Sequence, residues 1–168
     1  MRHTLPALAA LACALTACQP QPLSQADEEA VRAVGAAFGA AVNASNVDGM
    51  TAIYASDATV QPPGMPGATG TAAIHKLWTD MTAPMKATLS VTVTKVAGQG
   101  DVAYTTGTYH IVFAMKDATQ ASPPPEDGKY VNVLWRQADK SWKVVADTWN
   151  ANSMPAAPAA APARSARH

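Results

Sequence analysis

The segment Asp127 to Asn150, DGKYVNVLWRQADKSWKVVADTWN, restricts the folds open to this chain more than any other stretch. It reads as two strands, Tyr130–Gln137 and Trp142–Asn150, joined by the polar turn Ala138-Asp139-Lys140-Ser141. Trp135, Trp142 and Trp149 all fall within it. With Asp139-Lys140 as a two-residue turn, Asn132 pairs with Asp147 and Tyr130 with Trp149. That register puts a carboxylate, an amide and two amphipathic aromatic rings on one face. The opposite face, with Val131, Val133, Trp135, Val144 and Ala146, reads as a packing surface.

Upstream of the hairpin the pattern is helical first and extended later. Ser24 opens a helix, with Asp27 three positions on as a capping-box partner and Glu28 and Glu29 near the positive end of the helix dipole. Val31, Val34, Phe38, Ala41 and Val42 then form one apolar stripe to about Ala44. A second, short helix is expected over Asp48–Tyr54, and Asp57–Gln61 reads as extended. Pro62-Pro63-Gly64-Met65-Pro66-Gly67 is a loop by composition. Gly70-Thr71 precedes a third helix with Ile74, Leu77, Trp78 and Met81 on one side. From Lys86 the period becomes two: Leu89, Val91 and Val93 alternate with Ser90, Thr92 and Thr94. A longer strand runs from Asp101 to about Met115, and Ala118–Asp127 is a crossover loop. Three helices followed by a run of strands is an α+β layout, with the helices on one face of a curved sheet.

The two ends carry different signals. Arg2 and His3 precede a short apolar run, Leu5–Leu15, too brief to span a bilayer as a lasting helix. It ends in Leu15-Thr16-Ala17-Cys18, which resembles the lipobox of bacterial lipoproteins. That resemblance implies a signal peptide over 1–17, lipidation of Cys18, and a tether over 18–23. Gln19 in place of an aspartate then implies the periplasmic leaflet of the outer membrane in a diderm host. The short tether keeps the domain close to the membrane, so that a small apolar ligand could pass between bilayer and pocket over a short distance. Both cysteines, Cys13 and Cys18, lie in this segment, so the exported domain has no disulfide, thiolate metal ligand or cysteine nucleophile. The Ala/Pro-rich segment 153–168 has no apolar periodicity and is expected to be disordered.

One domain, 24–152, therefore remains of the 168 residues. All 12 acidic residues fall in it but only 9 of the 12 basic ones, Arg2, Arg164 and Arg167 lying outside. A mildly acidic body offers no basic face for nucleic acid.

The order of these elements, together with AVNASNVDGMTAIYASDATVQPPG, the later GTAAI and the terminal WKVVADTWN, resembles the SnoaL-like and ketosteroid-isomerase-like branch of the nuclear transport factor 2-like superfamily. The resemblance covers about Ser24–Asn152. It implies a cone-shaped half-barrel of about three N-terminal helices on a curved, mainly antiparallel sheet, an apolar pocket between the layers, and commonly a homodimer. Ketosteroid isomerases use an aspartate base with a tyrosine and a protonated aspartate as oxyanion hole. The matching positions here hold Phe38, Pro62 and the strand Val131–Leu134, which contains no acid. Phenylalanine cannot donate a hydrogen bond and proline cannot take a proton, so that mechanism is not expected.

The remaining candidates are Asp147, Asn132, His110 and several tyrosines. Asp147 is either a general base, perturbed by burial as base catalysis requires, or a partner of Lys143 and Arg136 on the same face. SnoaL-type cyclases use an aspartate and a histidine, which pairs Asp147 with His110; the other reading makes His110 a surface strand residue beside Tyr104, Thr106 and Thr108. His75 reads as exposed, and Asp57 as a turn anchor. The four histidines are scattered without metal-ligand spacing, no phosphate loop opens a helix, and no nucleophile elbow exists, so neither metal nor cofactor is expected. The expected function is a lipid-anchored periplasmic pocket for a small apolar or aromatic molecule, lined by Phe38, Tyr54, Trp78, Tyr104, Asn132, Asp147 and Trp149. The alternative is an isomerase, cyclase or lyase using Asp147, with His110, on a substrate in that pocket.

Overall fold

The computed structural model describes residues 21–153. Cys18, the segment 1–17 and the tail beyond Ser153 lie outside them. The elements in chain order are α1 (Gln25–Asn43), α2 (Val47–Ala52), β1 (Tyr54–Gln61), β2 (Ala68–Thr69), α3 (Thr71–Thr82), β3 (Met85–Gln99), β4 (Val102–Met115), β5 (Glu126–Arg136) and β6 (Trp142–Ala151). The six strands form one open sheet in the order β2-β1-β6-β5-β4-β3, antiparallel except for the parallel β1–β6 pair. Three helices pack against it, giving the expected α+β cone.

Local chemistry fixes α1 at both ends. The Asp27 N–H donates to Ser24 Oγ (3.1 Å) and the Ser24 N–H to Asp27 Oδ2 (3.3 Å), the reciprocal box expected from the sequence. At the other end, the Asn43 amide donates to the Leu89 carbonyl (3.1 Å) and its oxygen accepts from the Leu89 N–H (2.6 Å), tying α1 to β3. The Arg136 guanidinium bonds Asp27 (2.6 Å) and stacks over the Trp142 ring at 4.6 Å, which holds the Asp27 carboxyl well below the usual carboxylate range. These contacts close the narrow end, or base, of the cone around Val31, Ala103, Leu134, Trp142 and Val144, all buried. The apolar stripes expected on α1 and α3 do face the sheet, with Ile74, Leu77 and Trp78 buried.

Two expectations need correction. Tyr54 begins β1 rather than ending α2; the second helix stops at Ala52, and Tyr54 pairs with Val144 on β6. The terminal hairpin also differs from the expected two-residue turn. The Gln137 N–H donates to the Ser141 carbonyl (2.7 Å), leaving Ala138, Asp139 and Lys140 in the loop, with Lys140 in the left-handed region (φ 70°). That shifts pairing by one residue near the turn, Arg136 opposite Trp142 and Leu134 opposite Val144. A β-bulge at Val145 then restores the expected register, Asn132 opposite Asp147 and Tyr130 opposite Trp149. Because one extra residue flips every side chain beyond it, Val144 turns inward and is fully buried. The remaining residues of the expected packing face point outward instead: Val131 is 44% and Trp135 49% exposed.

Candidate functional site

Between the helices and the inner face of the sheet lies a cavity of about 160 Å³. The odd-numbered residues of β4 explain its taper. Ala103, Thr105 and Gly107 stand near the base, and Tyr109, Ile111 and Phe113 toward the mouth, so side chains enlarge as the cone widens. The Tyr130 ring covers Gly107 and the Tyr109 ring covers Gly128; a β-carbon at either glycine would overlap the ring. Both glycines therefore serve close approach, which lets the rings lie flat along the sheet.

Asp147 projects from β6 into this cavity. The Tyr54 hydroxyl, from β1, donates to its Oδ2 (2.7 Å). The Asn132 amide, directly opposite on β5, donates to its Oδ1 (2.6 Å) and to the Val131 carbonyl (3.1 Å). Removal from water pushes the Asp147 carboxyl up to about 6, although the Tyr54 hydrogen bond opposes that rise by favouring the ionised form. Burial first, and then the Asp147 charge, push the Tyr54 phenol well above its ordinary value. Lys143 and Arg136, the partners considered for Asp147, are engaged elsewhere. Lys143 reaches the Ala52 carbonyl from the outer face, and Arg136 binds Asp27 and Asp101 at the base.

An aromatic cluster stands beside the carboxylate. Trp78 from α3 stacks on Trp149 (5.7 Å between centroids, 21° between planes), lies 6.4 Å from Tyr54, and meets Phe38 of α1 at 5.2 Å and 59°. Such pairs contribute about 0.5–1.5 kcal/mol each beyond their burial. The structure thus brings Phe38, Tyr54, Trp78, Asn132, Asp147 and Trp149 onto one cavity wall.

Two sequence candidates are not there. Tyr104 is on the outer face of β4, 5.4 Å beneath Lys95 Nζ, because even positions of that strand point away from the helices. His110 shares that outer face, where its Nδ1 lies 2.8 Å from Asp127 Oδ1, and it does not enter the cavity with Asp147. His75 pairs at 3.1 Å with Asp48 on the surface, Asp57 is exposed, and Pro62 is buried outside the cavity lining. Among the described residues no group of three His, Cys, Asp or Glu is placed to hold a metal ion.

One polar pair, Tyr109 with Glu126, escaped the sequence reading. The Tyr109 hydroxyl donates to Glu126 Oε1 (2.5 Å) near the mouth, so a second phenol–carboxylate pair lines the cavity. Burial and that contact with Glu126 push the Tyr109 phenol above its ordinary value. The Tyr130 hydroxyl is buried with no hydrogen bond of good geometry, Thr105 being beside it. The signal for the Tyr109 pair was the odd-numbered run of β4, ending in Tyr109, Ile111 and Phe113, which marked the inner face; the hairpin register had already put Tyr130 on the Asp147 face. Among the described residues no Lys, Arg or His lines the cavity.

Three helices on a six-stranded, mostly antiparallel open sheet form the cone of the nuclear transport factor 2-like fold class. Within it, the chain belongs to the SnoaL-like domain family, whose model matches residues 35–145. Solved structures agree at low identity. A ketosteroid isomerase-like protein from Erwinia carotovora atroseptica is 17% identical with a TM-score of 0.71, over 78% of this chain and 100% of that one. An NTF2-like protein of unknown function from Pseudomonas putida is 18% identical with a TM-score of 0.62, over 76% and 88%. A structure from Catenulispora acidiphila in complex with S-DNPA is 15% identical with a TM-score of 0.63, over 76% and 95%. Members of this fold family bind small molecules or act as enzymes. No curated protein matches the chain.

Proposed function

We propose that this protein binds a small, flat, apolar molecule bearing one hydrogen-bond donor, with the apolar part against Trp78 and Trp149 and the donor on Asp147. The observation that carries this reading is the aromatic-walled cavity ending on the Tyr54–Asp147–Asn132 cluster. An ionised carboxyl has about four acceptor sites, and Tyr54 and Asn132 take two of them. A cavity near 150 Å³ lined by apolar side chains accepts a ring the size of benzene, which suits the volume here. A fold neighbour solved in complex with S-DNPA fits a ligand-holding role for the cavity, without bearing on the ligand's chemistry. The test uses p-cresol, toluene and phenylacetate, followed by tryptophan fluorescence and thermal shift. Saturating p-cresol raises the melting temperature and toluene does so less, whereas phenylacetate, an anion facing two carboxylates without a counter-charge, does not bind. Absence of any response to p-cresol overturns the proposal.

A second reading, proton abstraction by Asp147, is favoured by the carboxyl held at about 6 next to an apolar binding surface. Its probe is 5-nitrobenzisoxazole. The base takes the C3 proton, that C–H pair completes a nitrile, and the N–O bond breaks to leave a phenolate. Turnover that rises with pH through about 6 and vanishes in Asp147→Asn supports it; turnover unchanged in the variant removes it.

The lipobox carries the proposed location: Cys18 holds the lipid, and the domain stands in the periplasm on the outer membrane. Replacing Cys18 with Ser and fractionating cells tests this, since retention of the acyl label and of the membrane fraction by the variant contradicts it.

A further inference from the structure

The described chain enters the domain at the tip of the β3–β4 hairpin. The Gly100 N–H donates to the Gln21 carbonyl (2.8 Å), Pro22 forms a bridge with Gln99, and Leu23 packs on the core. Val102 pairs with Gln99 on one side and with Trp135 on the other, so all three lie within two strand spacings, about 10 Å. Val102 and Trp135, each 49% exposed, point outward from the base of the cone, with Tyr104 and Val133 as the next pair along. Charges of both signs surround this end: Asp101 meets Arg136 Nε (3.0 Å), Asp139 accepts from Ser141, and Glu28 and Glu29 stand near the start of α1, while Lys95 and Lys140 are exposed. The mouth is at the other end. β5 runs its whole length from Glu126 at the mouth to Arg136 at the base, 11 residues or roughly 35 Å.

Only Gln19 and Pro20 separate Cys18 from Gln21, a reach of at most about 11 Å. We infer that the base of the cone, through Val102 and Trp135, rests on the lipid surface, and that the cavity opens away from the membrane. The inference rests on the proposed lipidation of Cys18. Tryptophan favours the headgroup region, where its apolar ring and polar N–H are both satisfied. The patch need not bind lipid tightly by itself, because the tether keeps it at high effective concentration beside the bilayer. A ligand therefore enters from the aqueous side, and the short tether does not give the bilayer direct access to the mouth. A second copy of the chain is the competing occupant of this face.

The test uses the lipidated protein in vesicles of phosphatidylethanolamine and phosphatidylglycerol. The described domain contains no cysteine, so single thiols at Val102→Cys and Pro124→Cys can carry a fluorophore, with nitroxide-labelled lipid as quencher. The expected result is quenching at 102 several-fold stronger than at 124, weakened by Trp135→Ser while vesicle attachment is unchanged. Equal or reversed quenching in attached protein overturns the orientation and leaves lipidation standing. Disulfide formation between copies at 102 without quenching assigns the face to a second copy and overturns it too. If the acyl label and attachment are absent, the lipidation reading itself fails, and this inference with it.

Discussion

The two faces of one sheet handle polar and apolar groups in opposite ways. The inner face of β4, β5 and β6 carries Asp147, Asn132 and the Tyr109 and Tyr130 hydroxyls beside tryptophan rings, with the Tyr54 hydroxyl reaching in from β1. The outer face of the same strands exposes Val102, Val131 and Trp135. Neighbouring residues, Val131 and Asn132, thus have fates that their hydropathy alone would reverse. Inside, each carboxylate is steadied by a phenol donor, Asp147 by Tyr54 and Glu126 by Tyr109. The apolar groups outside are surface that another partner can cover.

The largest expected effect comes from removing the inner aromatic wall. Trp78→Ala is expected to destabilise the domain by about 3–5 kcal/mol in denaturant unfolding and to abolish the fluorescence response to p-cresol. A loss under about 1 kcal/mol would show that the ring cluster is not part of the packed core.

Asp147→Asn probes the polar part of the same wall. The folded-state carboxyl titrates at about 6 against an ordinary 3.8, so the folded protein binds this proton more readily than the unfolded chain. Stability from this group therefore falls as pH rises through that interval and stays lower above it. Asparagine keeps an oxygen for the Tyr54 hydroxyl and removes the desolvated charge. The variant should be more stable than the parent at pH 8, by about 2–3 kcal/mol at most. The two should converge at about pH 3, where both side chains are neutral. Melting curves across pH check this, and a variant less stable at pH 8 would make Asp147 a structural carboxylate.

Ligand charge sharpens the contrast further. p-Cresol should bind at least tenfold more tightly than phenylacetate, about 1.4 kcal/mol, when compared by calorimetry at neutral pH. The smallest effects belong to the outer face. Tyr104→Phe and His110→Asn should change stability by no more than about 0.5 kcal/mol and leave p-cresol affinity unaltered, which a titration of each variant decides.

The fold was legible where local rules and periodicity agree. The Ser24–Asp27 box, the α1 and α3 stripes, and the alternation of Leu89, Val91 and Val93 all name their elements without help from the rest of the chain. The pairing of Asn132 with Asp147 was also legible, but through compensating differences: the turn is one residue longer than expected, and the Val145 bulge absorbs it. Of the site, Phe38, Trp78, Asn132, Asp147 and Trp149 could be named from the inward stripes and the hairpin register. Tyr104 was misplaced because a strand with alternating tyrosines, threonines and histidine does not announce which parity faces the helices; the same ambiguity left two readings of His110, of which the surface one holds. Glu126 was lost because its segment, rich in proline, reads as loop up to the first residue of β5.

By itself, then, the sequence determined helix stripes, strand periods and the capping box, since each depends on side chains within a few residues along the chain, and the family through the order of those elements. Only the tertiary structure decided which strand parity faces inward and where the β6 bulge falls. It alone also decided which carboxylates share the cavity. Those choices depend on contacts between residues as distant as Tyr54 and Asp147, and on closing the cone around Val31, Leu134 and Val144. The protonation behaviour of Asp147 belongs to the same class, because removal from water is a property of the assembled cavity and not of any neighbour in the chain.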